Sequence, residues 1–140
     1  MSPPRAGGRT QQCSEAQARL RLEHARKFLD VAELVAGDAN DVDYASASAA
    51  LAVLAGIAAS DAACCKALGR RSRAQDHRQA QDLLGQVAPG GANAAGALRR
   101  LLDLKDEAHY GFFHVGGQHL RAALRQAQTL VDFADAVLRR

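Results

Sequence analysis

The strongest constraint on the fold of this chain is a long run of alanine and other small or apolar residues from Val42 to Leu68. Eleven residues of the run are alanine, and none between Tyr44 and Ser60 is charged. Alanine has the highest helix propensity of any residue, and a helix that is small or apolar on every face is typically buried. The run therefore predicts a central helix, over residues 42–68, in a bundle of helices.

Two charged residues fall where helical spacing predicts apolar ones. The predicted inward stripe of the central helix consists of residues three and four apart: Ala47, Leu51, Leu54, Ile57, Asp61, Cys65 and Leu68. Lys105 lies on the corresponding stripe of a later helix. Because a buried ionised group is very costly unless it is paired, we expect Asp61 and Lys105 to form an ion pair. The pair is either purely structural or the centre of a small polar cleft with Tyr110 and His77 at its rim.

Helical spacing predicts four further helices, separated by glycine- and proline-containing turns. Ser14 and Gln17 form a capping box at the start of the first, and Gly37 ends it. The predicted helices cover residues 14–36, 42–68, 73–86, 93–110 and 118–138. Long helices with short loops favour an all-α fold, an antiparallel up-and-down bundle of four to five helices. We expect residues 1–13 to form a disordered leader and residues 14–140 to form a single helical-bundle domain.

Cysteine usage and the lack of a targeting segment favour a cytoplasmic protein. The chain has an odd number of cysteines: Cys13, Cys64 and Cys65. Adjacent cysteines on a helix point about 100° apart and do not readily pair. We therefore expect no disulfide framework and a reducing cytoplasm. No apolar segment follows the N-terminal arginines, so no signal peptide is predicted. Asp43 and Asp61 flank the uncharged run, which favours a core helix over a membrane span.

A basic segment follows the central helix. Arg70, Arg71 and Arg73 surround Ser72, which is expected to form a second capping box with Gln75 at the start of the third helix. Free backbone N–H groups, the positive end of a helix dipole and arginine side chains together favour phosphate. A net charge of +3 and a pI of about 9.0 also suit an anionic partner. The segment is either an anion-binding or nucleic-acid-binding site, or a solvated basic turn.

His77 and His109 are the candidates for acid–base chemistry. A metal-independent ribonuclease needs a proton shuttle that works near neutral pH and a cation that stabilises the phosphate in the transition state. His77 with Arg71, or His109 with Lys105, can supply both, although a histidine packed in the core is the simpler interpretation. The spacing of the last three histidines does not place ligands on one helix face, so no metal site is predicted. No cofactor-binding motif is found.

Several short motifs resemble those of HEPN domains, which are helical-bundle proteins of prokaryotes. Residues 101–111 read LLDLKDEAHYG and precede a short connector and a helix, as in the closing half of those domains. Many members have a basic residue a few positions before a Tyr-Gly pair, as Lys105 is placed here. The SDAA sequence at 60–63 and the later Asp76-His77 pair are similar to small actinobacterial members of the group.

This resemblance implies an antiparallel bundle, commonly a homodimer, often encoded with a minimal nucleotidyltransferase or found in toxin–antitoxin and defence systems. Active HEPN ribonucleases carry an Arg-x4–6-His motif near the start of the last long helix, shared across a dimer cleft. At the matching place this chain has Lys105 and His109, with lysine for arginine and a spacing one residue shorter. Arg71 and His77 have the spacing of the motif but lie in a different helix. The departure favours a member without ribonuclease activity.

Three functions are consistent with these features. The leading hypothesis is a non-catalytic, HEPN-like homodimer that binds a nucleic acid, a nucleotide or a protein partner. In it, Asp61 and Lys105 organise the centre, and Arg70–Arg73 form the anion-binding edge. The first alternative is a metal-independent endoribonuclease that uses His77 or His109 with Arg71, Arg73 or Lys105. The second is an antitoxin or structural partner of a nucleotidyltransferase.

Overall fold

A computed structural model describes residues 10–38, 42–73, 77–110 and 115–140, without the side chains of Val42 and residues 106–110. Within these ranges the chain forms five α-helices and one small two-stranded sheet. The elements in chain order are β1 (Thr10–Gln12), α1 (Glu15–Ala36), α2 (Val42–Leu68), β2 (Arg70–Ser72), α3 (His77–Gly85), α4 (Gly91–Tyr110) and α5 (Gly117–Leu138). The predicted all-α helical bundle is confirmed.

α2 is the central helix, and its bounds are those predicted from the alanine run. It contacts α1, α3, α4 and α5, and eight of its alanines are buried among these neighbours. Because alanine side chains are short, the other helices can approach α2 closely. At Gly56, an added Cβ would clash with Leu101 of α4 and would lie 3.1 Å from Cδ1 of Leu130 of α5. The glycine therefore allows α4 and α5 to pack against α2.

The buried face of α2 differs from the predicted inward stripe. Leu54 was expected to face the interior but is 45% exposed, and Leu51 and Ile57 are only partly buried. Smaller residues on the other side of the helix, such as Ala52 and Ala59, are fully buried instead. In so apolar a helix, small or apolar residues recur at helical spacing on several faces, so spacing alone does not identify the buried one. Close packing of the neighbouring helices favours the face with the smallest side chains.

Most helix ends follow the predicted signals. The Ser14 hydroxyl accepts a hydrogen bond from the N–H of Gln17, and the Gln17 side chain accepts one from the N–H of Ser14, which confirms the capping box. Gly37 ends α1 as predicted. α4 begins at Gly91 and α5 at Gly117, within two residues of the predicted starts.

β1 and β2 form a short antiparallel pair in which Thr10 lies opposite Ser72. The pair overturns two predictions. Residues 10–12 lie in the predicted disordered leader but form a strand, and Arg70–Ser72 form a strand just before the predicted third helix. That helix, α3, begins at His77 and not at Arg73. A pairing between segments so far apart in the chain leaves no local periodicity that a sequence pattern could reveal.

A disulfide bond links Cys13, next to β1, to Cys65 of α2, with their Cα atoms 5.4 Å apart. The expectation of no disulfide is wrong, because the partner of Cys65 is not its neighbour Cys64 but a cysteine 52 residues earlier. Cys64 is buried and free. The cysteine pattern therefore gives one bond and one thiol, and it no longer favours a reducing compartment.

Among the described helices, α2 is the one candidate for a membrane span. From Asp43 to Leu68 it is long and apolar enough by length and composition, with a mean hydropathy of 1.7. However, 78% of its most apolar window is buried inside the described structure. Such burial is typical of the core helix of a soluble protein, as predicted.

Candidate anion-binding cleft

Five elements of the fold surround a cleft of about 210 Å³ beside the carboxyl group of Asp61. Part of its lining is apolar and comes from α2, α3 and α4, through Ile57, Ala80, Leu98 and Leu102. The polar and charged residues that line it, among those described, are Arg21, Ser60, Asp61, Arg71, Ser72, Arg73, His77 and Lys105. Most of the site residues predicted from the sequence therefore share one cleft.

Asp61 is buried, as predicted, but its ion partner is different from the predicted one. Its Oδ2 atom accepts a hydrogen bond from Nε of Arg21 on α1, at 3.1 Å. The side chain of Asp61 is 11% exposed and that of Arg21 is 33% exposed. Within the described residues no ion pair joins Asp61 to Lys105, so that predicted pair is wrong, although both residues line the cleft. The cation that reaches Asp61 belongs to α1, which packs along α2.

Burial raises the pKa of Asp61 above its ordinary value. The charge of Arg21, its hydrogen bond to the carboxylate and the charge of Arg71 act in the opposite direction but do not cancel the effect of burial. Because burial disfavours the charged form of a carboxyl group, Asp61 takes up a proton more readily than an exposed aspartate.

The basic strand β2 forms one wall of the cleft. Nη2 of Arg71 donates a hydrogen bond to the Gln11 side chain of β1 at 3.0 Å, and the Ser72 hydroxyl donates one to Gln79 of α3 at 3.4 Å. Arg73, which follows the strand, is exposed. Ser72 lies in a strand, five residues before α3 begins, so the predicted Ser72 cap is wrong; Gln75 lies outside the described residues. The arginines reach the cleft from a strand and not from a capped helix end.

Arg70 is not among the described residues that line the cleft. It lies instead near Cys64, where its positive charge lowers the pKa of the buried thiol. Burial and the charge of Asp61 raise the pKa of Cys64 to about 12, because they outweigh a hydrogen bond with Ser60 and the charge of Arg70, which both lower it. Cys64 therefore stays a thiol near neutral pH and is a poor nucleophile.

His77 and Lys105 line the cleft from the start of α3 and the second half of α4. Both are partly exposed. The side chains of His109 and Tyr110 lie outside the described residues, so their predicted roles stay predictions. Of the two candidate histidines, His77 is the one whose side chain the structure describes, and it lines the cleft together with Arg71 and Arg73.

Arg21 is the charged residue of the described cleft lining that the sequence pattern missed. Helical spacing of the apolar residues alone would place Leu20 inward, yet Leu20 is 57% exposed. The buried face of α1 is formed by residues that alternate between alanine and leucine: Ala18, Leu22, Ala25, Leu29 and Ala32. Arg21 lies next to that face, and this alternation is the signal that would have placed it there.

The charges in the cleft favour a bound anion. Arg21 balances Asp61, which leaves Arg71, Arg73 and Lys105 as an excess of positive charge among the described lining residues. A low-dielectric wall beside such an excess concentrates anions. No model of a known protein family matches the chain, and no curated protein matches it either.

Proposed function

We propose that this protein is a non-catalytic, HEPN-like binding module whose cleft holds the phosphate group of a nucleotide or of a nucleic-acid end. The observation that carries the proposal is the convergence of Arg71, Arg73 and Lys105 on one cleft, in excess of the charge that Asp61 requires. HEPN-like identity and a homodimer belong to the same proposal, and light scattering of the purified protein measures the oligomeric state.

Phosphate is the anion that suits these side chains best. Guanidinium groups bind phosphate oxygens through pairs of parallel N–H donors, and a lysine adds a compact positive charge. Arg73 is exposed and Lys105 is partly exposed, so both can reach a ligand that enters from solvent. An anion bound there exchanges part of its hydration for charge-assisted hydrogen bonds, each stronger than a neutral one.

The size and lining of the cleft favour a phosphate with its attached sugar over a bare ion. Its volume of about 210 Å³ corresponds to roughly seven water molecules at about 30 Å³ each. Apolar side chains such as Leu98 and Leu102 lie beside the cations, and they suit a sugar or base better than they suit a hydrated ion. Binding pockets commonly combine an apolar lining with a few charged groups in this way.

Isothermal titration with adenosine monophosphate, adenosine and a short RNA with or without a terminal phosphate tests the proposal. We expect the monophosphate and the RNA with a terminal phosphate to bind, and adenosine and the RNA without one to bind at least about ten-fold more weakly. Adenosine has no phosphate group, and the RNA without a terminal phosphate offers only singly charged phosphodiesters. The comparison of the monophosphate with the phosphorylated RNA shows whether a free nucleotide or a strand end is preferred. Higher salt should weaken binding of the phosphorylated ligands.

Variants of the cleft provide the matched control. Arg73→Gln and Lys105→Gln should each weaken binding of the monophosphate by about ten-fold. Lys27→Gln removes an exposed lysine of α1 that is not among the residues lining the cleft, and it should bind like the unchanged protein. Equal affinity for adenosine and its monophosphate would overturn the proposal. So would cleft variants that bind as tightly as Lys27→Gln.

A metal-independent endoribonuclease is the second candidate, since His77 shares the cleft with Arg71 and Lys105. A histidine can move a proton near neutral pH, and neighbouring cations can stabilise the charged phosphate in the transition state. The test incubates the protein with RNA and excess chelator, beside His77→Ala and His109→Ala. Cleavage that His77→Ala abolishes would favour the enzyme over the binding module. Absence of cleavage, or cleavage unchanged in both variants, would eliminate the enzyme.

A further inference from the structure

The disulfide bond between Cys13 and Cys65 lies where the cleft meets its basic strand. Cys65 follows Asp61 by one turn of α2, so both side chains are on the same side of the helix. Cys13 directly follows β1, and its N–H donates a hydrogen bond at 3.0 Å to the carbonyl of Gly69, in the turn before β2. The bond therefore fastens β1 at the point where the chain leaves α2 and enters β2.

β1 in turn supports the arginines of β2. Its three residues pair with Arg70–Ser72, and Gln11 accepts the hydrogen bond from Arg71. A two-stranded pair this short is not stable by itself in water. The nearby ion pair between Glu15 and Lys66 is largely exposed on the Glu15 side, and exposed pairs contribute little. The covalent bond is therefore the strongest of the described links that keep β1 on β2.

We infer that the Cys13–Cys65 disulfide makes anion binding by the cleft redox-dependent, with tight binding in the oxidised protein and weaker binding in the reduced one. The inference rests on the proposed anion-binding function. When the bond is broken, β1 is free to leave β2, and Arg71 loses its 3.0 Å hydrogen bond to Gln11, which leaves the longer one of 3.4 Å to the carbonyl of Ser72. A ligand must then order the strand and its arginines as it binds, and that ordering lowers the affinity.

A dithiol reductant supplies the chemistry of the switch. Cys13 is partly exposed whereas Cys65 is buried, so a thiolate of the reductant attacks the sulfur of Cys13 and Cys65 leaves as a thiolate that takes up a proton. The second thiol of the reductant then attacks the mixed disulfide and releases Cys13 as a thiol. The reductant gives up two electrons and two protons as its own thiols join in a disulfide. Cys64 takes no part, because its buried thiol stays protonated.

The test measures the affinity for adenosine monophosphate, by titration calorimetry, before and after treatment with dithiothreitol. We expect reduction to weaken binding by about ten-fold, comparable to the loss of one charge-assisted contact. Cys13→Ser should bind as weakly as the reduced protein and should not respond to the reductant. Cys64→Ser keeps the disulfide and should respond as the unchanged protein does. Far-ultraviolet circular dichroism of the same samples reports whether the helices remain.

The outcomes separate this inference from the proposed function. Equal affinity in the two redox states would overturn the inference and leave the proposed function standing. No binding in either state would overturn the proposed function and the inference with it. A reduced protein that has lost its helical signal would also overturn the inference, because the bond would then support the whole fold and not the basic strand.

Discussion

At the scale of single residues, the buried carboxyl group of Asp61 makes the stability of the fold depend on pH. Burial raises its pKa more than Arg21 and Arg71 lower it. A carboxyl group with a raised pKa in the folded state holds its proton more tightly there than in the unfolded chain. Its contribution to stability is therefore complete below the pKa of a free aspartate, about 3.9, and is lost as the pH rises through the folded-state pKa.

Replacement by asparagine isolates this contribution, since Asp61→Asn keeps the shape of the side chain and does not titrate. We expect the free energy of unfolding of the unchanged protein, relative to Asp61→Asn, to fall as the pH rises from about 4 towards neutrality. Urea unfolding of both proteins at a series of pH values measures the difference. If the unchanged protein instead gained stability relative to Asp61→Asn as the pH rises, the ion pair with Arg21 would dominate and the pKa of Asp61 would be lowered.

Arg21 is expected to affect stability through the charge that it balances. Arg21→Gln leaves the carboxylate of Asp61 in a buried position without its ion partner, and we expect the free energy of unfolding to fall by about 1–3 kcal/mol near neutral pH. Arg19→Gln is the control, because it removes an exposed arginine of α1 whose ion pair with Glu15 spans 3.9 Å. It should change the free energy of unfolding by less than about 0.5 kcal/mol. Equal effects of the two changes in urea unfolding would show that other cations of the cleft balance Asp61.

At the scale of elements, the close packing of α4 and α5 on α2 depends on the missing side chain at Gly56. Alanine favours a helix over glycine by about 1 kcal/mol, yet a Cβ at this position clashes with Leu101, which is 1% exposed and has little room to move. We expect Gly56→Ala to lower the free energy of unfolding by about 1–3 kcal/mol. The same change at Gly96 of α4, where the nearest neighbouring atom is Nη1 at the flexible end of Arg100, 3.7 Å away, should raise it by about 0.5–1 kcal/mol. Thermal unfolding compares the two variants, and a stabilising Gly56→Ala would contradict the packing.

The helices were predictable from the sequence because their signals are local. The alanine run fixed α2, and the Ser14–Gln17 capping box fixed the start of α1. The strand pair and the disulfide depend on contacts between residues 10–13 and residues 65–72, which are far apart in the chain. Neither segment has a periodicity that predicts these contacts. Long-range pairing is therefore what the sequence pattern could not supply.

The candidate site was predictable to a similar extent. Asp61, Arg71 and His77 were recognisable because charged or titratable groups stand out against apolar spacing and basic runs, and all three line the cleft. Arg21 was not recognisable, because which face of α1 is buried depends on how α1 packs against α2. The wrong partner for Asp61 follows from the same limit: spacing shows that a charge is inward but not which neighbouring helix supplies its counter-charge.

At the scale of the whole molecule, the disulfide bond closes a loop that contains α1 and most of α2. Cys13 and Cys65 are 52 residues apart. Closing a loop of that length restricts the unfolded chain and, in the chain-entropy account, contributes about 4 kcal/mol to the free energy of unfolding. A domain of this size typically has a free energy of unfolding of about 5–15 kcal/mol. The bond is thus a large part of the total, but its loss should leave the bundle folded at room temperature.

Loss of the bond should therefore destabilise the bundle without unfolding it. We expect Cys13→Ser to lower the free energy of unfolding by up to about 4 kcal/mol. Dithiothreitol should lower the stability of the unchanged protein to that of the variant and should leave the variant itself unaffected, because the variant has no bond to reduce. Urea unfolding of both proteins with and without the reductant makes the comparison. Four superimposable unfolding curves would contradict it, since they would mean that the unfolded chain gains no freedom when the loop from Cys13 to Cys65 is opened.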